Sequence, residues 1–243
     1  MFFFGPEFLN KSFLKTSLFK SFLKLDNVQI FCRTIELKKS WQKILYKFKE
    51  KIKYIESLDY PSFNFKNFKK KGKLKFASIG QIRDGKSLKF LNDYFEKRKK
   101  YEFSIIGGYA SQKARKEFSF LNKSFTSKKD FIEFDQLIKK SRSLDYIILL
   151  YDHLFDKRLE VSTLYLAVRL KVPIICFKKN DWLSKKISKF KCGYTIKNLN
   201  EFKNFPKRES NRYKSYILGL KKFEVKFLNN NFNEKKFYNN IIT

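Results

Sequence analysis

The sequence predicts a doubly wound parallel α/β fold, in which helices cover both faces of an open sheet. Short runs such as YIILL, residues 146–150, are apolar at every position, which is typical of strands that are buried on both faces. These runs alternate along the chain with segments whose apolar residues recur at helical spacing. Because parallel strands must be joined by crossovers, this alternation indicates a parallel sheet with helical connections.

From Leu74 onward the elements can be assigned in order. Strands are predicted at 74–79, 103–106, 146–150 and 174–177. Helices are predicted near 88–97, around Val161 to Val168, around Leu183 to Phe190 and near 213–223. Gly193 is predicted to end the helix before it. Ligands of such sheets bind where the strands end, so function is expected in the loops that follow strands.

A smaller α/β segment precedes this region. A strand at 28–32, a helix capped by Ser40 and a strand at 54–56 would form one βαβ unit. The helix would bury Trp41, Ile44, Leu45, Phe48 and Ile52. Residues 59–73 contain a proline and a lysine cluster closed by Gly72, which is typical of a linker. The predicted divisions are 1–72, a partial N-terminal segment; 73–207, the main domain; and 208–243, a helix and tail.

Residues 8–25 alternate Phe and Leu with Lys and Ser, which predicts a basic amphipathic helix. Such a helix most often covers a sheet. The alternative is peripheral binding to the anionic inner leaflet of a membrane, with four lysines facing the headgroups: Lys11, Lys15, Lys20 and Lys24.

The chain carries 55 Lys and Arg against 23 Asp and Glu, a formal charge of +32. Such an excess is common in proteins that bind nucleic acids or anionic membranes. The lysines are spread over all the predicted helix surfaces instead of being concentrated beside stacking aromatic residues. Nucleic-acid binding is therefore not expected, although a non-catalytic basic binding module stays an alternative.

The three cysteines and one histidine show no metal-binding spacing, so no metal site is expected. Cys32 and Cys176 lie in apolar runs and are expected in the core of a protein from a reducing compartment. His153 is interpreted as a surface residue. No apolar run is long enough to cross a bilayer, and a cytoplasmic location follows as the expectation.

The loop GQIRDGKS, residues 80–87, joins a predicted strand to a predicted helix. Gly80 lets the backbone approach an anion, and Arg83 and Lys86 add positive charge near the helix N-terminus. These features favour binding of a nucleotide diphosphate.

The same loop also fits the GxxxxGK[ST] spacing of a P-loop NTPase, through Gly80, Gly85, Lys86 and Ser87. In that alternative, Asp152 after the strand at 146–150 would bind magnesium. The bulky residues inside the loop and the negative charge of Asp84 fit a tight phosphate nest poorly.

Five segments follow one another between residues 74 and 205: FASIGQIRDGKSLKFLNDYF, YEFSIIGG, LDYIILLYD, STLYLAVRLKVPII and WLSKKISKFKCGYTI. In this order they resemble the C-terminal, donor-binding domain of GT-B glycosyltransferases of the group 1 or family 4 type. The resemblance implies a Rossmann-like domain in which Gly80, Arg83 and Lys86 hold the donor diphosphate. It also implies that Ser162 and Thr163 at a helix N-terminus bind the distal phosphate.

The resemblance further implies a donor cleft lined by Gly107, Tyr151, Asp152 and Glu160. It implies a metal-independent, retaining transfer from a UDP-sugar or GDP-sugar to a glycan or lipid-linked acceptor, in polysaccharide or glycolipid synthesis, without a separate cofactor. It identifies no catalytic residue. Many relatives have a second glutamate where this chain has Leu166, and most of their N-terminal domain has no counterpart here. The chain is therefore expected to be a short member, a fragment or one partner of a split enzyme.

Overall fold

The structure is a computed structural model that describes residues 13–26, 28–32, 34–54, 72–121, 132–152, 161–179 and 181–225. The described residues up to Tyr54 belong to one compact unit and those from Gly72 to a second. Two residues named above, His153 and Glu160, lie outside the described residues, as do most of the predicted linker and the predicted C-terminal tail. The domain limits given above stay a prediction.

Within its described residues, the first unit contains two helices, a 3₁₀ segment and two strands. In chain order they are α1 (Phe13–Phe22), β1 (Ile30–Cys32), α2 (Ile35–Ile44), the 3₁₀ segment Tyr46–Lys51 and β2 (Ile52–Tyr54). β1 and β2 pair in parallel, with Ile30 opposite Ile52. The small core between them and the helices consists of Leu23, Cys32, Trp41, Leu45 and Ile52.

The helix of this βαβ unit begins earlier than predicted. Thr34, not Ser40, is its N-cap, and the Thr34 hydroxyl accepts a hydrogen bond from the Leu37 N–H at 3.0 Å. Ser40 lies inside the helix and donates to the Glu36 carbonyl at 3.0 Å. The helical pattern also stops short of Ile52, which begins β2. The sequence alone favours Ser40 as a cap because a serine hydroxyl can bond to the backbone both at a helix N-cap and inside a helix.

The second unit holds five strands and six helices in the described ranges. Its strands are β3 (Leu74–Ile79), β4 (Tyr101–Ile106), β5 (Tyr146–Leu149), β6 (Ile174–Phe177) and β7 (Gly193–Ile196). Its helices are α3 (Leu88–Glu96), α4 (Gln112–Glu117), α5 (Phe134–Ser141), α6 (Thr163–Leu170), α7 (Trp182–Phe190) and α8 (Asn211–Phe223). Every helix of the described ranges falls short of the length and apolar character that a bilayer crossing requires.

The five strands form a sheet in the order β4-β3-β5-β6-β7, and every pairing is parallel. This arrangement confirms the predicted doubly wound α/β class. From β3 the chain moves outward to β4, then returns to the opposite side of β3 to form β5. The strand order therefore reverses between β3 and β5. A crevice opens at such a reversal, at the carboxyl ends of the strands, and ligands of open α/β sheets bind there.

Each sheet face carries its own apolar core. Alternate residues of β5 point to opposite faces: Ile147 and Leu149 join the cluster under α5, α6, α7 and α8, whereas Tyr146 and Ile148 join the cluster under α3 and α4. Phe76 of β3 stacks on Tyr146 with ring centroids 5.3 Å apart. Both faces are thus covered, as the uninterrupted apolar strands predict.

The final strand, β7, differs from the prediction for Gly193. Helix α7 ends at Phe190, and Lys191 adopts the left-handed conformation that closes it. Gly193 begins β7 beside β6, where a Cβ atom would lie 2.1 Å from the Ile174 carbonyl oxygen. The glycine is required by close approach of two strands, not by the end of a helix.

The opposite end of β5 is held by an ion pair. Asp145 is fully buried, and Arg208 donates to both of its carboxylate oxygens, from Nε at 2.7 Å and from Nη2 at 2.6 Å. The same guanidinium donates to the Gly72 and Lys73 carbonyls, and the Lys75 N–H donates to Asp145 at 2.7 Å. This bidentate pair joins the start of β3, the start of β5 and the segment before α8.

We predict that Arg208→Met lowers the free energy of unfolding by about 3 kcal/mol, because it removes the cation from a carboxylate that has no access to water. Denaturant titration followed by circular dichroism measures the change. The matched control is Lys75→Met, which breaks the exposed Lys75–Glu102 pair and should cost less than about 1 kcal/mol. Equal costs for the two variants would show that the buried pair has no special role.

Candidate functional site

The loop at the carboxyl end of β3 is shaped by three residues with positive φ. Gly80 and Gly85 have φ values of +99° and +87°, and Ser87, just before α3, has a φ of 48°. Between them, Ile82 is buried and bonded to the loop after β4: its N–H donates to the Gly108 carbonyl at 2.8 Å. The Ile82 carbonyl accepts from the Ala110 N–H at 3.0 Å. The β3 loop is therefore fixed to the neighbouring loop by its backbone.

Gly107 allows these two loops to meet. A Cβ atom on Gly107 would lie 2.2 Å from the Gly80 carbonyl oxygen, and its φ of +154° is itself unfavourable for other residues. The Gly80 N–H donates to the Ile106 carbonyl at 2.9 Å. The family resemblance implies that Gly107 lines a donor cleft. The structure places it against Gly80, at the end of β4 beside the β3 loop.

Lys86 is the buried cation of this loop. Its side chain is 7% exposed, and its Nζ atom donates to the Ile79 carbonyl at 3.0 Å. Nζ also lies close to Gly80, 3.2 Å from where a Cβ atom on that residue would be. In the part of the chain that the structure describes, no carboxylate forms an ion pair with Lys86. The Lys86 amino group is thus buried beside Gly80, with the Ile79 carbonyl as its hydrogen-bond partner.

Burial, with the positive charge of Arg83 acting in the same direction, lowers the pKa of Lys86 from 10.5 to about 7. Arg83 itself is exposed. The two cations predicted to hold a diphosphate therefore lie near enough for their charges to interact. They differ in environment, since one is in solvent and the other is buried.

The loop after β5 is bonded to the β3 loop. The Asp152 N–H donates to the Gly85 carbonyl at 2.9 Å. Tyr151 is buried, and burial raises the pKa of its phenol to about 12, with Arg83 acting in the opposite direction. The predicted site residues of β3 and β5 are therefore brought together at the reversal of strand order. Glu160, the fourth residue of the predicted cleft, lies outside the described residues.

A further cation was missed by the sequence reasoning. Lys179 follows β6, and its Nζ donates to the Tyr151 carbonyl at 2.7 Å. Its own carbonyl accepts from the Ser184 hydroxyl near the start of α7. The available signal was its place directly after a predicted strand, among many other lysines. Through this bond the loop after β6 joins the loops after β3, β4 and β5.

Helix α6 directs its N-terminus to the same edge of the sheet, since it follows β5 and its loop. Ser162 precedes the helix in helical conformation and its hydroxyl caps no amide, while Thr163 is buried. The Leu164 and Tyr165 N–H groups bond to the Val161 and Ser162 carbonyls at 2.9 Å. The predicted phosphate contact of Ser162 and Thr163 stays a prediction.

No cluster of His, Cys, Asp or Glu suited to hold a metal ion occurs within the described ranges. Cys32, Cys176 and Cys192 are buried free thiols, and burial raises the pKa of Cys192 to about 12. A thiol that is hard to ionise is a poor nucleophile, so the described cysteines fit structural roles.

Solved structures share this fold. A glycosyltransferase from Rickettsia africae superposes with a TM-score of 0.59 at 13% identity, over 92% of this chain and 67% of that one. TarM gives 0.60 at 16% identity, over 93% and 45%. The catalytic domain of starch synthase IV from Arabidopsis thaliana gives 0.55 at 12% identity, over 86% and 53%.

The starch synthase structure contains ADP and acarbose, and a structure of a TarM variant from S. aureus contains UDP. No protein-family model matches the sequence of this chain, and no curated protein matches it significantly. The chain spans about half to two thirds of the length of these solved relatives. At such identities the comparisons establish the fold, which is the one found in GT-B glycosyltransferases.

The buried ammonium makes stability depend on pH in a defined direction. Between pH 7 and pH 10 the Lys86 side chain is protonated in the unfolded chain and largely neutral in the folded one. Raising the pH therefore removes protons mainly from the folded state and stabilises it, by at most about 1.4 kcal/mol per pH unit. The penalty of burial is fully present below pH 7.

We predict that the free energy of unfolding of the wild type rises relative to that of Lys86→Met by about 1 to 2 kcal/mol between pH 7.0 and 8.5. Urea titrations at both pH values measure this difference, in which the titration of other groups cancels. Lys89→Met, at an exposed lysine of α3, should keep a constant offset from the wild type. Parallel pH curves for wild type and Lys86→Met would mean that Lys86 stays protonated in the fold.

Proposed function

We propose that this chain is the donor-binding part of a GT-B type glycosyltransferase and that it binds the diphosphate of a nucleotide sugar at the Gly80–Ser87 loop. The observation that carries the proposal is the buried Lys86 ammonium, which lies at the carboxyl edge of the sheet without a carboxylate partner among the described residues. An anion that enters beside it would restore the protonated form and supply the missing negative charge. A diphosphate is the ligand that this class of sheet edge suits best.

The proposed role in catalysis is electrostatic. When the bond between the sugar C1 and the diphosphate breaks, negative charge builds up on the departing phosphate, while a new bond forms between C1 and an acceptor hydroxyl, whose proton passes to the departing diphosphate. Lys86 and Arg83 would stabilise that charge, and the N-terminus of α6 would add its positive end. The backbone bonds among the four edge loops would hold these groups in place before the donor binds.

The donor is proposed to be a UDP-sugar or GDP-sugar and the acceptor a glycan or lipid-linked glycan, with transfer in the cytoplasm and without metal. Tyr151, Asp152, Gly107 and Glu160 would bound the sugar. UDP is present in the TarM variant structure and ADP in the starch synthase structure, and these proteins share the fold. The acceptor site and the remaining catalytic groups would come from the other half of a GT-B enzyme.

The P-loop alternative is disfavoured by the loop geometry. A P-loop wraps a phosphate with successive backbone N–H groups and extends its lysine toward the terminal phosphates. Here the Ile82 N–H is occupied by the Gly108 carbonyl, so this amide cannot take part in such a nest.

We predict that UDP or GDP binds with at least about tenfold higher affinity than the matching monophosphate, because Lys86 and Arg83 contact the second phosphate. Isothermal titration calorimetry measures the affinities. Lys86→Met and Arg83→Met should each weaken diphosphate binding about tenfold and leave monophosphate binding nearly unchanged. Lys139→Met, an exposed lysine of α5, is the charge-matched control and should bind like the wild type.

Binding of magnesium and ATP that requires Lys86, with no binding of UDP, GDP or their sugars, would support the P-loop alternative and overturn the proposal. Diphosphate binding that responds equally to Lys139→Met and Lys86→Met would reflect only the charge of the whole chain.

A further inference from the structure

The first unit exposes an unusual amount of apolar surface. Nine large apolar side chains are exposed among the described residues, and five of these belong to the small first unit: Leu18, Phe22, Leu25, Ile35 and Tyr46. Tyr46, at 68% exposed, and Leu18, at 62%, are the most open of the nine. Single exposed apolar residues are ordinary, but a concentration in one small region marks an interaction surface.

Three of these residues form a stripe on α1 and the turn that follows it. Leu18 and Phe22 are four residues apart, which places them on one side of α1, and Leu25 lies in the turn that follows the helix. A different side of α1 faces the core of the unit, where Phe19 stacks on Trp41 at 5.4 Å and Leu23 is buried. Packing of α1 within its unit therefore accounts for the apolar side chains of Phe19 and Leu23. The side chains of the stripe are exposed to solvent.

The surroundings of the stripe are basic. Residues 13–54 contain eleven Lys and Arg against three Asp and Glu, a net charge of +8. Lys20 and Lys24 are exposed on α1 and in the turn after it, and Lys51 donates to the Leu25 carbonyl at the end of the stripe. A second exposed pair, Tyr46 with Lys47, has the lysine Nζ 5.9 Å from the tyrosine ring centroid.

We propose that this surface, the α1 stripe of Leu18, Phe22 and Leu25 with Lys20, Lys24 and Lys51, binds the surface of an anionic phospholipid bilayer. Apolar side chains enter the boundary between headgroups and acyl chains, and long lysine side chains reach the phosphates around them. A protein partner that covered such a stripe would need matching acidic groups, whereas an anionic bilayer offers both an apolar layer and negative charge. The inference goes beyond the donor site and does not depend on it.

The test is sedimentation of the full chain with sucrose-loaded vesicles, made of phosphatidylcholine alone or with 30% phosphatidylglycerol. Binding is expected with the anionic vesicles and should fall at least about tenfold with phosphatidylcholine alone. Leu18→Ser/Phe22→Ser should weaken binding to anionic vesicles about tenfold or more. Lys20→Glu/Lys24→Glu should weaken it similarly. Because both lysines are exposed, this second variant tests the inference even if Leu18→Ser/Phe22→Ser disturbs folding.

Matched controls lie on α8. Leu218→Ser removes an apolar residue that is 57% exposed, and Lys221→Glu/Lys222→Glu makes the same change in charge on exposed lysines. Both should bind vesicles like the wild type. Three results would each overturn the inference. They are equal losses of binding in the α1 and α8 variants, absence of binding to anionic vesicles, and loss of a dimer instead of vesicle binding in Leu18→Ser/Phe22→Ser. UDP affinity should be unchanged in that variant, which separates this result from the donor proposal.

Discussion

The burial of the Lys86 ammonium is the physical constraint on which this account of the site depends. A lysine side chain loses hydration when it is buried, and the loss is normally compensated by a carboxylate. In the described residues the compensation here is a single bond to the Ile79 carbonyl. The group lies beside Gly80, at the edge of the sheet where the loops meet. A negatively charged ligand bound there would stabilise its protonated form.

The parallel sheet creates that place. Because β3 and β5 are neighbours and run in the same direction, the loops that leave them lie side by side at the reversal of strand order. The Gly85 carbonyl and the Asp152 N–H bond directly, and Gly107 lets the loop after β4 contact Gly80. At the other end of β5, Asp145 and Arg208 fix the strand to the beginning of β3. Hydrogen bonds thus connect β3 and β5, or the loops that follow them, at both ends of the sheet.

Much of this fold could be predicted from the sequence because fully buried strands produce uninterrupted apolar runs. β3 and β6 were predicted with their observed limits, and β5 differs by one residue. β7 was missed because GYTI is short and half-buried at the sheet edge, so its pattern is weak. The cap of α2 was wrong because Ser40 and Thr34 carry the same kind of hydroxyl, and tertiary structure chose between them.

The site was predictable to a lesser degree. A glycine and two cations after a strand predict a site at the β3 loop, but the sequence could not distinguish the buried Lys86 from the many exposed lysines of the chain. Lys179 donates a hydrogen bond to Tyr151, and Arg208 forms an ion pair with Asp145. In both cases the partner is distant in the sequence, so no local sequence pattern predicts the contact.

The most direct test of the central claim is the number of protons taken up when UDP binds. Calorimetric titrations at pH 7.5 in buffers of different ionisation enthalpy give this number. If the diphosphate pairs with Lys86, whose pKa is near 7 in the free protein, a substantial fraction of a proton should be taken up, and the uptake should disappear in Lys86→Met. UDP binding with the same proton exchange in the wild type and in Lys86→Met would contradict the account.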